Sequence, residues 1–186
     1  MTVVIAQIFI SPGHNFFGRH GLPAGEHPTR EVSSARCRAG RGIEGDRFFG
    51  YRPDYKGQVT FLAAETVEGL KRACGVPALS AAVLRRNVVV RGIDLETLVG
   101  RRFLLGEVEF EGTGEARPCH WMDQAVGPGA EEWLKGRGGL RARVLTDGEL
   151  RLGETGLILR EERLQPNAAA GFVGKGAIEL GFKGSV

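Results

Sequence analysis

Residues 107–111 read Glu-Val-Glu-Phe-Glu, a strict alternation of charge and apolar bulk. Successive side chains of a strand point to opposite faces, so Val108 and Phe110 face one way and the three glutamates the other. Such a segment fits a sheet with one wet face and one buried face. Other short apolar or alternating runs recur along the chain. Residues 3–10, 31–39, 58–62, 87–90, 103–111, 140–145, 149–152 and 156–160 all read as strands. Gly106 marks a break or bulge inside 103–111, and Asp147-Gly148 between two runs is a strong hairpin signal. The 29 glycines follow no strict period and punctuate these runs as turn residues do.

Helical signals are few. Residues 65–74 form an amphipathic pattern with a Glu68–Arg72 pair at i, i+4 and a stop at Gly75 and Pro77. Asp94 is placed to cap a single turn over 95–99, and 129–135 reads as a short helix. The pattern predicts a mainly β fold: a closed or partly open β-barrel of about seven or eight strands with a few short helices.

The length fits one domain over residues 1–186, with a core at about 32–153. Residues 1–31 supply a first strand and a long loop. Residues 161–186 form a Gly-rich C-terminal arm, loosely ordered or packed on a second copy in a homo-oligomer. No apolar run approaches the ~18 residues of a membrane span, and the apolar start reads as a strand rather than a leader. Three widely spaced cysteines suit a reducing compartment, which points to the cytoplasm. A net charge of +3 does not call for nucleic acid. Of the 25 basic residues 20 are Arg. A GC-rich genome accounts for the bulk excess but not for where these residues fall.

Cys119 stands just past the 107–111 strand, in Arg117-Pro118-Cys119-His120. Pro118 ends a ladder, and a neighbouring Arg117 and His120 favour the thiolate. A free cysteine is commonly a small buried hydrophobe. Cys37, between Arg36 and Arg38, and Cys74, at helical spacing from Val67 and Leu70, read that way. Arginines cluster at four predicted strand ends or loops: Asp46-Arg47, Arg85-Arg86-Asn87, Arg101-Arg102 and Arg117. Guanidinium forks hold phosphate, and an Asn amide offers both donor and acceptor to a heterocycle edge. Arg101-Arg102 reads as plain surface. The 11–29 loop carries His14, His20 and His27, and its length suits a functional loop.

The cysteines lie 37 and 45 residues apart, which excludes paired-cysteine zinc sites. A softer metal held by one thiolate and an organic ligand remains open. A cysteine hydrolase built on Cys119 and a loop histidine lacks a nucleophile elbow, and no phosphate-binding glycine motif follows a strand.

Seven motifs recur in order: Gly42-Ile43-Glu44-Gly45-Asp46-Arg47, Gln58-Val59-Thr60, residues 85–95, residues 98–103, Arg117-Pro118-Cys119, Gly127-Pro128-Gly129 and residues 136–144. Over roughly 32–153 this order resembles the MOSC domain, named for the C-terminal domain of molybdenum cofactor sulfurase. Residues 10–18 look like its small stand-alone members. The resemblance implies a β-barrel whose site cysteine either binds the molybdenum of a molybdopterin cofactor or carries a persulfide. On that footing Cys119 is the catalytic residue and metal ligand, while Arg86, Asn87, Arg117, Asp46, Arg47 and His120 are the cofactor-binding candidates.

The chain shows no pyridoxal-phosphate site and no electron-transfer domain. A separate electron donor or a pyridoxal-phosphate-dependent desulfurase is therefore the expected partner, acting with a small-molecule substrate. The expected function is molybdenum-dependent reduction of N-hydroxylated or N-oxygenated small molecules. Two alternatives stand beside it: a sulfur carrier using a Cys119 persulfide, and a non-catalytic anion-binding barrel with Cys119 as a buried structural residue.

Overall fold

The computed structural model describes residues 1–17, 19 and 22–160. The expected C-terminal arm and His20 lie outside them. Eleven strands run in chain order: β1 (Thr2–Ile10), β2 (Arg30–Val32), β3 (Ser34–Arg38), β4 (Gly42–Ile43), β5 (Val59–Ala63), β6 (Val88–Arg91), β7 (Arg102–Leu105), β8 (Val108–Glu115), β9 (Leu140–Val144), β10 (Gly148–Arg151) and β11 (Gly153–Leu159). The α-helices are α1 (Ala64–Ala73), α2 (Trp121–Ala125) and α3 (Ala130–Leu134), with 3₁₀ turns at Ala81–Leu84 and Leu95–Leu98. Asp94 caps the second turn as expected, its carboxylate accepting the Glu96 N–H at 3.0 Å.

Seven strands close into a mixed barrel in the order β1-β6-β5-β9-β8-β7-β11, with β11 returning to pair with β1. β2 is an extra strand beside the far end of β1, and β10, β3 and β4 form a small second sheet. β5 and β6 pair in parallel, and α1 lies in the connection between them. A parallel pair needs such a crossover, and its strands are buried on both faces. Phe61 and Val88 accordingly face the barrel interior, while Leu62 and Val89 face a second apolar layer formed with α1, α2 and α3.

The bulge in β1 allows one strand to serve both layers. Val3 and Ile5 point into the barrel; the register then shifts between Ile5 and Gln7, and Ile8 points inward while Phe9 joins the outer layer. Inside the barrel, Phe61, Phe103 and Phe110 pack ring against ring at 5.2–5.8 Å between centroids.

One expected pairing is corrected. β9 and β10 do not form a hairpin across Asp147-Gly148: β9 pairs with β5 and β8, and β10 pairs with β3. The Asp147 carboxylate instead accepts the Ala39 N–H at 2.8 Å and a bond from Arg38 at 3.0 Å, which ties the turn to the end of β3. The run expected to be one strand over 31–39 is divided into β2 and β3, and α2 arises where no helix was expected. No helix among the described residues is long and apolar enough to cross a membrane.

Candidate functional site

A cavity of about 670 Å³ opens where four segments converge. The loop after β1 contributes His14 and Phe17, and the loop after β4 contributes Arg47, Phe48 and Tyr51. The segment after the first 3₁₀ turn contributes Arg85 and Arg86, and the strap between β8 and α2 contributes residues 116–120. Arg141 of β9 completes the wall. Six arginines line the cavity (Arg47, Arg52, Arg85, Arg86, Arg117 and Arg141), with no carboxylate among the described lining residues.

Cys119 is exposed on this strap, whereas Cys37 is buried and Cys74 half-buried. That exposure removes the expectation of Cys119 as a buried structural residue. The strap is held from beneath by Arg86. Its guanidinium donates to Ala116 O at 2.6 Å, Gly138 O at 2.9 Å and Leu84 O at 3.1 Å. Burial, together with Arg141 and Arg47, pushes this group down to about 10, with the charges of Cys119 and Glu115 opposing. Arg86 therefore remains a cation at neutral pH near Cys119, and no carboxylate among the described residues forms a salt bridge with it.

The close approach beneath the strap requires glycine. A Cβ on Gly138 would stand 2.4 Å from Ala116 O, and one on Gly139, at φ +98°, would stand 2.0 Å from Phe61 O. Arg117, which sequence proximity made the partner of Cys119, turns outward instead. Its side chain is 83% exposed, with its nearest ion pair to Glu115 at 3.9 Å. His120 is exposed, lines the cavity and lies against the Trp121 ring at 5.0 Å.

Asp46 and Asn87 are buried beneath the site and are not among the lining residues. The Asn87 amide donates to Asp46 Oδ2 at 3.0 Å and Phe9 O at 3.2 Å, and accepts from the Thr60 N–H and hydroxyl at 3.1 and 2.9 Å. Asp46 accepts in addition from Ser11 N–H, Phe48 N–H and Arg47, each at 3.2 Å. The network leaves neither residue an obvious spare contact for a ligand. Its effect is to aim Arg47, whose second nitrogen donates to Arg85 O at 2.9 Å and whose guanidinium lies 5.1 Å from the Phe48 ring centre.

Arg85 is a site residue that the expected set left out. It adopts a left-handed backbone conformation at φ 54°, a strained choice for a residue with a Cβ. Its side chain runs under the 11–29 loop, donating to Ser11 Oγ at 2.8 Å, Gly13 O at 2.8 Å and Thr29 Oγ1 at 2.9 Å. Burial and the neighbouring Arg47 push it down to about 10. The tandem Arg85-Arg86 was the available signal: one arginine serves the loop and the next serves the strap. Phe16 of the loop stacks on Trp121 of α2 at 4.9 Å, joining the two sides of the cavity.

His14 and the rings of Phe17, Phe48, Tyr51 and Tyr55 form a continuous aromatic wall, with neighbouring centroids 4.8–6.3 Å apart. Phe17 and Tyr51 are exposed at its rim. The site thus combines a cationic floor, a flat apolar side and one accessible sulfur. Among the described residues, no three His, Cys, Asp or Glu side chains gather as a metal cluster.

The MOSC domain model matches residues 31–155. No curated protein matches the chain. Among solved structures, the YuaD protein from Bacillus subtilis superposes with a TM-score of 0.67 at 20% identity, covering 87% of this chain and 98% of that one. YiiM from Geobacillus stearothermophilus gives 0.62 at 16% identity, covering 88% and 77%. YiiM from Escherichia coli gives 0.55 at 16% identity, covering 81% and 70%. The family match takes in more than half of the chain, and the solved structures share its barrel.

Proposed function

From the premise that the chain belongs to the MOSC domain family, we propose that it binds a molybdenum–pterin cofactor in the arginine-lined cavity. Cys119 would be the protein's ligand to the metal, and a separate electron donor would support reduction of N-hydroxylated or N-oxygenated small molecules. The observation that carries this reading is the lining of the cavity: an arginine-rich wall, one exposed thiol and no carboxylate among the described lining residues.

The residues fit such a group. A cavity of about 670 Å³ is of cofactor size. Fixed guanidinium forks suit a phosphate tail. A lone thiolate suits a soft metal whose other ligands come from an organic partner. When bound, the group supplies a redox-active metal with an exchangeable position.

The chain's own residues bind and orient. Arg86 fixes the strap that carries Cys119, Arg47 and Arg141 offer charge to the phosphate, and the Phe48–Tyr51–Tyr55 wall excludes water on one side. Converting an N–OH bond to N–H and water consumes two electrons from the donor and two protons from solvent. The test is molybdenum and pterin content of protein made in a cofactor-competent host. Near-stoichiometric content in wild type, lost in Cys119→Ser, is expected; neither metal nor pterin in wild type refutes the reading.

The exposure of Cys119 also favours a second reading, in which a desulfurase transfers sulfur to it as a persulfide. A mass increase of one sulfur atom at Cys119, with no metal bound, would establish that route.

A further inference from the structure

We infer that His14 takes up a proton when a dianion enters the arginine-lined cavity, so that this histidine sets the charge preference of the site. The inference rests on the cavity being an anion site and goes beyond it by naming a titrating residue in its wall.

The argument starts from placement. His14 lines the cavity on the loop opposite the Cys119 strap. Its ring meets Phe48 edge-on at 4.8 Å and lies 5.2 Å from Phe17 and 6.2 Å from Tyr51. The loop backbone is fixed: the Asn15 amide donates to His27 O at 2.9 Å and accepts the His27 N–H at 2.9 Å. Arg85 holds Gly13 O from below. The imidazole is thus seated against these rings on a backbone anchored at Gly13 and Asn15.

The charges around the ring come from two other segments and from the loop itself. Arg47 and Asp46 lie on the loop after β4, Arg85 follows the first 3₁₀ turn, and His27 lies on the loop that carries His14. The two arginines outweigh the one carboxylate, which already serves Ser11, Arg47, Phe48 and Asn87. Burial first, and Arg47 next, lower the His14 midpoint below its ordinary 6.5.

A dianion among the arginines reverses the local field, and an opposite charge nearby favours the imidazolium. The proton comes from solvent and stays on the ring while the anion is bound. Uptake occurs between the depressed midpoint of the free site and the raised midpoint of the filled one. Affinity consequently rises as pH falls through the raised midpoint and levels off below the depressed one. Arg85 and Arg86, held at about 10, stay charged throughout this window, so they contribute no pH dependence of their own.

Sulfate is the probe, because it remains a dianion across the range. Binding is followed from pH 5 to 8 by NMR, with the histidine ring resonances assigned through His14→Gln and His120→Gln. Saturating sulfate is expected to raise the His14 midpoint by about one unit, with sulfate binding about tenfold tighter at pH 5 than at pH 8. In His14→Gln binding should persist but lose that dependence, and in Arg141→Gln binding should weaken at every pH. Sulfate binding with an unmoved His14 midpoint, or a dependence abolished only by His120→Gln, overturns the inference and leaves the anion site standing. No sulfate binding to wild type at any pH overturns both.

Discussion

Replacing Asn87 by Asp changes one atom type at the centre of the buried network and puts its physics to a direct test. Asn87 Nδ2 stands 3.0 Å from Asp46 Oδ2. In N87D two carboxyl groups face each other at that distance. Two full charges at about 3 Å and an effective dielectric of about 20 repel by about 5.5 kcal/mol. Protonating one carboxyl with an ordinary value of about 3.9 costs about 1.4 kcal/mol per pH unit, or about 4 kcal/mol at pH 7. Protonation is the cheaper route, and the new O–H can donate to Asp46.

The introduced carboxyl therefore has a raised midpoint in the folded state. Its penalty is small near pH 4 and grows as pH rises toward the folded midpoint. The neighbouring Arg47, 3.2 Å from Asp46, softens the repulsion, so about 4 kcal/mol at pH 7 is an upper value. Urea denaturation of wild type and N87D at pH 4.5, 6 and 7.5 measures the difference. A destabilisation that does not grow between pH 4.5 and 7.5 would refute the reasoning. It would mean that the two side chains do not share a buried site.

Gly139→Ala should destabilise the fold by about 2–4 kcal/mol in the same assay, because the residue is at φ +98° and its Cβ would meet Phe61 O. Leu70→Ala, which empties a fully buried position of α1, should cost about 2–5 kcal/mol with the barrel intact by circular dichroism. Alkylation of the native protein followed by intact mass should modify Cys119 first. Cys37, whose thiol burial pushes up to about 12, should react only after denaturant is added. Phe16→Ala should speed proteolytic cutting of the 11–29 loop, since it removes the stack on Trp121.

The barrel was legible because its signals are local and repetitive. Val108 and Phe110 alternate with glutamates, and Asp94 caps its own turn. What escaped depends on distant partners. Asp147-Gly148 makes a turn, but the carboxylate bond to Ala39 and the register of β10 on β3 decide which strand is paired. α2 is five residues long and has no side-chain cap, so neither periodicity nor a start signal marks it. At the site, neighbours in sequence stood in for neighbours in space. Arg117 adjoins Cys119 along the chain yet points to solvent, whereas Arg86, remote in sequence, lies beneath the strap. Asn87 was recognisable as a polar residue at a critical place. Only the folded contacts show it supporting the cavity from behind.

The seam between β1 and β11 has a consequence for how the chain is made. The Met1 ammonium donates to Leu157 O at 3.0 Å, a contact that spans 156 positions. β1 is synthesised well before β11, and its edge toward β11 has no partner until residues near Leu159 have followed. Throughout the interval between them the nascent chain carries an open, apolar strand edge of the kind that captures other chains. Closure so late and so non-local makes for slow folding. Factors that shield nascent chains should therefore raise the yield of this protein more than mutations that merely strengthen its core.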